Sequence, residues 1–357
     1  MVLFYPVKVI DISADTKHAV IVTLEPPSEA KDKFAFTQGQ YLTFKKEFEG
    51  EELRRSYSIC SGINDGNLRV GIKRVDGGWF SSWANDELKV GDTIDCMVPN
   101  GRFNTPPEPE KRKKYLVFAV GSGITPIFSI IKSVLEEEPL SEITLVYGNR
   151  SANTIMFKEA LCDLKDIYME RLTLLHVLKN DAGDIDLFNG RIDREKCDRL
   201  FSTWIDVANT DTAFICGPEE MMLMVKDALQ DHGMDEKSIK FELFTSVHPK
   251  KARAKSEKDS DTGKKVKATV ILDGSARKFE MPAHNMSVLE AAMENNIEVP
   301  FSCRAGVCST CAATILKGEV EMTSNYGLED YEVERGLVLT CQSYPQTDEI
   351  VIDYDQH

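Results

Sequence analysis

Four cysteines near the C-terminal end constrain this chain more than any other feature. Cys303, Cys308 and Cys311 lie within the nine residues CRAGVCSTC, and Cys341 follows alone after 29 further residues. The N-terminal stretch MVLFYPVKVIDISADTK lacks the basic region and apolar run of a signal peptide. YLVFAV, residues 115–120, is the longest clearly apolar run near the middle and is far too short to span a bilayer. These features predict a cytoplasmic protein without a membrane span, in which disulfides are rare and clustered thiols hold metal or do redox chemistry. With 357 residues, 42% of them hydrophobic, the chain has material for two or three domains and needs no disulfide staples. A formal charge of −15 argues against nucleic acid as a partner and suits docking on a basic protein.

The spacing Cys303-x4-Cys308-x2-Cys311, with Cys341 distant, is the plant-type ferredoxin pattern for a [2Fe–2S] cluster held by four thiolates. Ala305, Gly306 and Ser309 are small enough to let the loop backbone approach such a cluster and offer N–H groups to its sulfurs. Four thiolates also satisfy zinc, but structural zinc sites usually pair two short knuckles, whereas Cys341 stands alone at the end of GLVLTC. Cys60, Cys96, Cys162 and Cys197 are scattered and read as small core residues.

One segment separates the cluster region from the rest. SVHPKKARAKSEKDSDTGKK, residues 246–265, carries many charges and almost no large apolar side chains, so it is expected to be an extended or mobile linker. Before it, the chain has two textures. Up to residue 107, short alternating runs such as YLTFK, RSYSI and NLRVGIK between Gly, Asn and Asp turns predict a small antiparallel barrel or sandwich. From residue 108 onward, YLVFAV, ITLVYGN and TAFICG each lead into a helical stretch, which predicts a parallel sheet covered by helices.

Several motifs in this body suit nucleotide chemistry. In RRSYSIC, strand alternation puts Arg55 and Tyr57 on one face, a pairing in which a guanidinium can clamp a pyrophosphate while a ring stacks on an isoalloxazine. The same residues would also be ordinary on an exposed strand. Gly77, Gly78, Phe80 and Ser81 open a helical stretch whose N–H groups can seat a phosphate, unless the glycines merely form a turn. Gly121-Ser122-Gly123-Ile124-Thr125-Pro126 follows a strand and opens a helix; it lacks the third glycine of G-x-G-x-x-G but still admits a pyrophosphate, or is an ordinary strand–helix turn. Arg150 and Ser151 stand where a 2′-phosphate would be recognised, which favours NADPH. Cys216 and Phe244 also have a plain reading as core residues. The six histidines are scattered, and neither a two-His-one-carboxylate set nor a Glu-x-x-His motif for an oxygen-activating metal is present.

In their order, RRSYSIC, GSGITPIFSII, YGNR and AFICGP resemble the ferredoxin–NADP reductase superfamily over residues 1–245. With the C-terminal ferredoxin pattern, the chain resembles the one-chain reductases of multicomponent oxygenases. The resemblance implies an antiparallel β-barrel FAD domain (1–107), an α/β parallel-sheet NAD(P) domain (108–245), a linker (246–265) and an α+β β-grasp [2Fe–2S] ferredoxin (266–357). It implies that Arg55 and Tyr57 hold FAD with Ser58 near the flavin N5, and that the stretch with Gly77, Gly78, Phe80 and Ser81 holds its pyrophosphate. Gly121, Gly123 and Thr125 would receive NADPH or NADH, with Arg150 and Ser151 at its far end. Cys216, beside Gly217 and Pro218, would approach the nicotinamide C4, and Glu242 and Phe244, in FELF after the last apolar strand, would lie near the flavin. Electrons would leave through the cluster to an oxygenase component: a diiron epoxidase acting on an aryl-CoA thioester first, or a Rieske-type ring or steroid hydroxylase. A flavin and iron–sulfur redox-sensing regulator is the alternative of a different class.

Overall fold

The computed structural model describes residues 4–181, 183–244, 265–328 and 330–356. These fall into two compact units, one formed by Phe4–Phe244 and the other, among the described residues, beginning at Lys265. Of the segment expected to be a linker, only Lys265 lies within the described residues, and it already belongs to a strand.

The first unit starts with strands β1 (Tyr5–Thr16), β2 (Ala19–Glu25), β3 (Tyr41–Phe48), β4 (Glu51–Ser58) and β5 (Leu68–Lys73). Helix α1 (Trp79–Asp86) and strand β6 (Thr93–Cys96) complete this part. The sheet order is β4-β3-β6-β1-β2-β5, antiparallel throughout. An antiparallel bridge from Ile59 to Val70 joins the two edges, and Cys60 N–H donates to the Arg69 carbonyl at 2.9 Å, so the sheet closes as a barrel. Alternation drives the closure: Val7 and Val9 of β1 point in with Leu42, Phe44, Val70 and Ile72, while Lys8 and Ile10 face out. Helix α1 plugs one end with Phe80 and Ala84.

The same unit continues as strand–helix repeats: β7 (Lys114–Val120), α2 (Ile124–Glu137), β8 (Glu142–Asn149), α3 (Lys158–Ile167), β9 (Leu172–Leu178), α4 (Arg194–Thr203), β10 (Thr212–Gly217), α5 (Glu219–Asp231) and β11 (Ile239–Leu243). The parallel sheet runs β11-β10-β7-β8-β9, so successive connections leave β7 in one direction and β10 in the other. That reversal opens a crevice at the carboxyl ends of β7 and β10, the usual ligand position in such sheets. Helix α2 is buried almost all round, with Ile124, Ile127, Phe128, Ile130, Ile131, Val134 and Leu135 in one core with the sheet. It is covered on both sides because the barrel packs on it too. Ser129 Oγ donates to the Ser61 carbonyl at 2.6 Å, and Lys132 pairs with Asp65.

The second unit contains β12 (Lys265–Leu272), β13 (Ser275–Pro282), α6 (Val288–Glu294), β14 (Ala312–Lys317), β15 (Val320–Met322), α7 (Asp330–Glu334), β16 (Leu337–Leu339), β17 (Ser343–Pro345) and β18 (Glu349–Asp353). Its main sheet is mixed, ordered β13-β12-β18-β14-β16 with β12 and β18 parallel, and β15 pairs with β17 in a small second sheet. Helix α6 lays Val288, Leu289, Ala291 and Ala292 on the inner face of Val266, Ala268, Ile350 and Ile352, the β-grasp arrangement. A capping box formed by Ser287 and Glu290 starts that helix.

Candidate functional site

Strand β4 ends at the rim of the barrel and presents RRSYS by alternation. Arg55 is exposed and Tyr57 half-buried on one face, while the buried Ser58 turns to the other. Behind Tyr57 stand Phe80, with ring centroids 5.5 Å apart, and Phe44 at 6.2 Å. Phe80 is only 2% exposed and belongs to the barrel core, so its side chain supports Tyr57 from behind and is not an open ligand surface. The glycine pair before α1 is held locally: Ser81 Oγ accepts from Val75 N–H at 3.1 Å and donates to the Gly78 carbonyl at 3.2 Å. Gly77 has φ +71°, the left-handed region, and Gly78 is the N-cap, where no side chain occupies the first-turn N–H groups.

The crevice between β7 and β10 gathers the other residues. Gly121, Ser122 and Gly123 form a single tight turn into α2. A Cβ on Gly123 would lie 2.3 Å from the Cys216 carbonyl oxygen, so only glycine lets the turn meet the end of β10. Gly217 is confined between Met221 and Val120, and Pro218 caps α5. Thr125 turns its hydroxyl back to the Ser122 carbonyl at 3.0 Å, and its methyl faces Gly71 of β5. The barrel and the turn therefore touch at Thr125.

Cys216 and Glu242 are neighbours in the register of β10 and β11. Residues 241–243 of FELF thus belong to the last strand itself and do not follow it, contrary to the sequence-based expectation. Ser58 Oγ donates to Glu242 Oε2 at 3.1 Å, joining β4 of the barrel to β11 of the sheet. Burial pushes the Glu242 carboxyl up to about 8, against the opposing pull of the Ser58 hydrogen bond. Burial, and next the Glu242 charge, hold the Cys216 thiol well above its ordinary range, so this sulfur is a neutral wall of the site. Phe244, 38% exposed, lies just beyond β11. Ser58, Thr125, Cys216 and Glu242, far apart in sequence, thus line one region where barrel meets sheet.

Arg150 is exposed just beyond β8. Ser151 is committed to local structure: it caps the short turn Ala152–Thr154 reciprocally with Thr154. Lys73, at the end of β5, is a cation that no sequence motif marks. Its Nζ lies 3.5 Å from the position a Cβ on Gly121 would take, and burial first, then the Arg150 charge, lowers its pKa. A barrel lysine and a sheet arginine therefore flank the glycine turn.

In the second unit, the loop carrying CRAGVCSTC is wound tightly. Arg304, Gly306 and Ser309 have φ of +53°, +76° and +54°, and a Cβ on Gly306 would lie 2.5 Å from the Ser324 carbonyl oxygen. Gln342 Nε2 donates to the Arg304 carbonyl at 3.0 Å, and Ser309 Oγ donates to that of Gly327. The thiols stand as two pairs, Cys303 with Cys308 and Cys311 with Cys341. Cys308, then the N–H groups of Ala305, Val307 and Cys308, hold Cys303 below the ordinary thiol range, favouring thiolate. Among the described residues, no three His, Cys, Asp or Glu side chains converge on one metal-ion position. Two thiol pairs wrapped by N–H groups fit a two-iron cluster better than one zinc ion.

Three family models match in succession: an oxidoreductase FAD-binding domain over residues 7–105, an oxidoreductase NAD-binding domain over 117–227, and a 2Fe-2S iron-sulfur cluster binding domain over 270–346. A component of the 1,2-phenylacetyl-CoA epoxidase of Escherichia coli (strain K12) is 41% identical over 355 residues, 99% of each chain. The chain belongs to the oxygenase-reductase family. This reductase also shares 33% identity with the ferredoxin reductase component of 3-ketosteroid-9-alpha-monooxygenase from Rhodococcus rhodochrous, over 97% of this chain and 95% of that one. Its fold is that of phthalate dioxygenase reductase, at TM-score 0.57 and 23% identity with 98% of each chain covered. The reductase is accordingly an oxidoreductase with FAD, NAD and [2Fe–2S] domains, carrying electrons from NAD(P)H through FAD to the cluster. No helix among the described residues is long and apolar enough to cross a membrane.

Proposed function

We propose that this reductase supplies electrons, in the cytoplasm, to a diiron epoxidase acting on phenylacetyl-CoA in aerobic phenylacetate degradation. The observation that carries this reading is the 41% identity to an epoxidase component over all three domains, at 99% coverage. A steroid hydroxylase is the second reading, supported by the 33% identity to the monooxygenase component from Rhodococcus rhodochrous. The domain limits expected from the sequence, near residues 107, 245 and 266, form part of the proposal.

Bound FAD supplies two-electron chemistry with the nicotinamide and one-electron chemistry with the cluster. Arg55 and Tyr57 would hold and stack the flavin at the barrel rim, and Gly77, Gly78, Ser81 and the first turn of α1 would take its pyrophosphate. Ser58 and Glu242 would hold a hydrogen-bonded proton at the flavin site. Gly121, Gly123 and Gly217 let the coenzyme backbone approach, and Thr125, Pro218 and the neutral Cys216 thiol shape the space for the nicotinamide. Phe244, just beyond β11, would lie near the flavin. Cys303, Cys308, Cys311 and Cys341 ligate the cluster.

NADPH is the proposed preferred coenzyme, with the exposed Arg150 facing the 2′-phosphate beside Ser151. Arg150→Ala is expected to raise KM for NADPH roughly 10–100-fold while sparing NADH, since a charge-assisted hydrogen bond is worth about 1.5–3 kcal/mol. Lys73→Ala, nearer the glycine turn, should raise KM for both coenzymes. Equal losses in the Arg150 variant would remove the 2′-phosphate from its role.

The partner is tested by reconstitution. The second unit carries exposed Asp330 and Glu334 on α7 and an acidic end at residues 348–355, which suits a basic docking face. Coupled epoxidation of phenylacetyl-CoA should proceed and slow as salt rises above physiological strength, where the Debye length is about 8 Å. Reduction of a small neutral dye at the flavin should barely change. Absence of coupled epoxidation at full cofactor occupancy would transfer the assignment to another oxygenase.

A further inference from the structure

Asp15 lies on β1 of the barrel, remote in sequence from every motif, and makes a contact to the nucleotide sheet that none of them predicts. Its Oδ1 accepts a hydrogen bond from the N–H of Phe157 at 3.0 Å. Phe157 is the N-cap of α3 and holds φ +56°, a left-handed conformation that a non-glycine residue adopts only at a cost. Oδ2 of Asp15 is buried and makes no hydrogen bond. Burial raises the Asp15 pKa, the Phe157 N–H lowers it, and the Glu159 charge raises it further. The fold therefore keeps a poorly compensated carboxylate and a strained residue at one point, a combination with no benefit to stability alone.

What the contact holds is the approach of barrel to sheet. The Phe157 ring stacks flat on Phe128 of α2, with centroids 4.5 Å apart and 5° between planes. Its edge lies 3.3 Å from where a Cβ on Gly71 would stand, and the Thr125 methyl lies 2.8 Å from the same point. Phe128 is one turn beyond Thr125 on the same helix. A rigid path thus runs from Asp15 through Phe157 and Phe128 to Thr125, against a β5 strand that tolerates only glycine there.

We infer that Asp15 is a positioning residue for hydride transfer: by holding Phe157 N–H it sets the separation between barrel and nucleotide turn at Thr125, and so the distance from nicotinamide to flavin. This rests on the reading of Ser58, Thr125, Cys216 and Glu242 as the hydride-transfer site. If the wild-type full-length protein, loaded with FAD, were not reduced by NADPH or NADH, that reading would fail first.

The experiment follows single-turnover flavin reduction of the full-length protein at saturating coenzyme, with nicotinamide carrying hydrogen or deuterium at C4. Asp15→Ala should slow reduction on the order of tenfold and raise the deuterium isotope effect, with KM little changed, because a small misplacement weakens transfer more than binding. Asp15→Asn keeps an acceptor oxygen and should restore both rate and isotope effect. A wild-type rate and isotope effect in Asp15→Ala would overturn the proposal, as would an Asp15→Asn variant as slow as Asp15→Ala. Asp15→Ser, too short to reach Phe157, provides a second truncation. Failure of both truncations to retain FAD would make Asp15 a folding residue and likewise overturn it.

Discussion

Replacing Cys341 with serine should abolish the visible absorbance and paramagnetic signal of the cluster, while FAD content and NAD(P)H-dependent reduction of a hydride-accepting dye stay at wild-type levels. A serine hydroxyl is a poor substitute for the soft thiolate an iron–sulfur cluster needs. The peptide around it should keep its place. Thr340 donates its hydroxyl and its N–H to the Cys311 carbonyl at 3.0 and 3.2 Å, accepts a hydrogen bond from Tyr354 at 2.8 Å, and its carbonyl accepts from Leu289 N–H at 3.0 Å. Four hydrogen bonds independent of the sulfur thus anchor the residue before Cys341. The residues proposed to hold the flavin lie in the other compact unit. Loss of FAD together with the cluster would contradict this separation.

Glu242 should make flavin reduction pH-dependent. With its carboxyl pushed to about 8 by burial, the group is mostly protonated at neutral pH and ionises as pH rises through that value. Wild-type reduction should then fall, approaching tenfold per unit, above about pH 8 as the proton beside Ser58 is lost and a charge appears in the site. Glu242→Gln, permanently neutral, should show a flat profile over that range and sit below wild type at neutral pH. The same shift bears on stability. Between the ordinary carboxyl value of 4.5 and about 8, the folded protein holds a proton that the unfolded chain releases, so stability declines with rising pH through that window. Glutamine should remove that part of the slope in thermal unfolding. An unchanged pH–rate profile in Glu242→Gln would assign the ionisation elsewhere.

Much of the architecture was legible because its signals are local. Alternation in NLRVGIK marks β5, and apolar runs followed by amphipathic stretches mark β7–α2, β8–α3 and β10–α5. Besides β11, one strand and one helix of this part were not among those expected. In β9, LTLLHVL carries a histidine in a short apolar run, and α4, REKCDRLFST, buries only Cys197, Leu200 and Phe201 beneath a highly charged surface. Such weak periodicity becomes a helix only because β9 and β10 bring it onto a sheet.

The sequence alone determined the chemistry of the cluster loop, since thiolate number and spacing are covalent facts of the chain, and it determined the order of the strand–helix repeats. Folding decided which side chains work together. Glu242 meets Ser58 across 184 positions. Phe80 turns into the barrel instead of outward, Thr125 shows its methyl to Gly71, and Lys73 crosses from barrel strand to nucleotide turn. Asp15 reaches Phe157 across 142. None of these contacts has a local signature: Phe80 is fixed by closure of the barrel, and the others arise where that barrel is pressed against the open end of the sheet. Only that packing sets the burial that raises the Glu242 carboxyl and the spacing that admits a coenzyme.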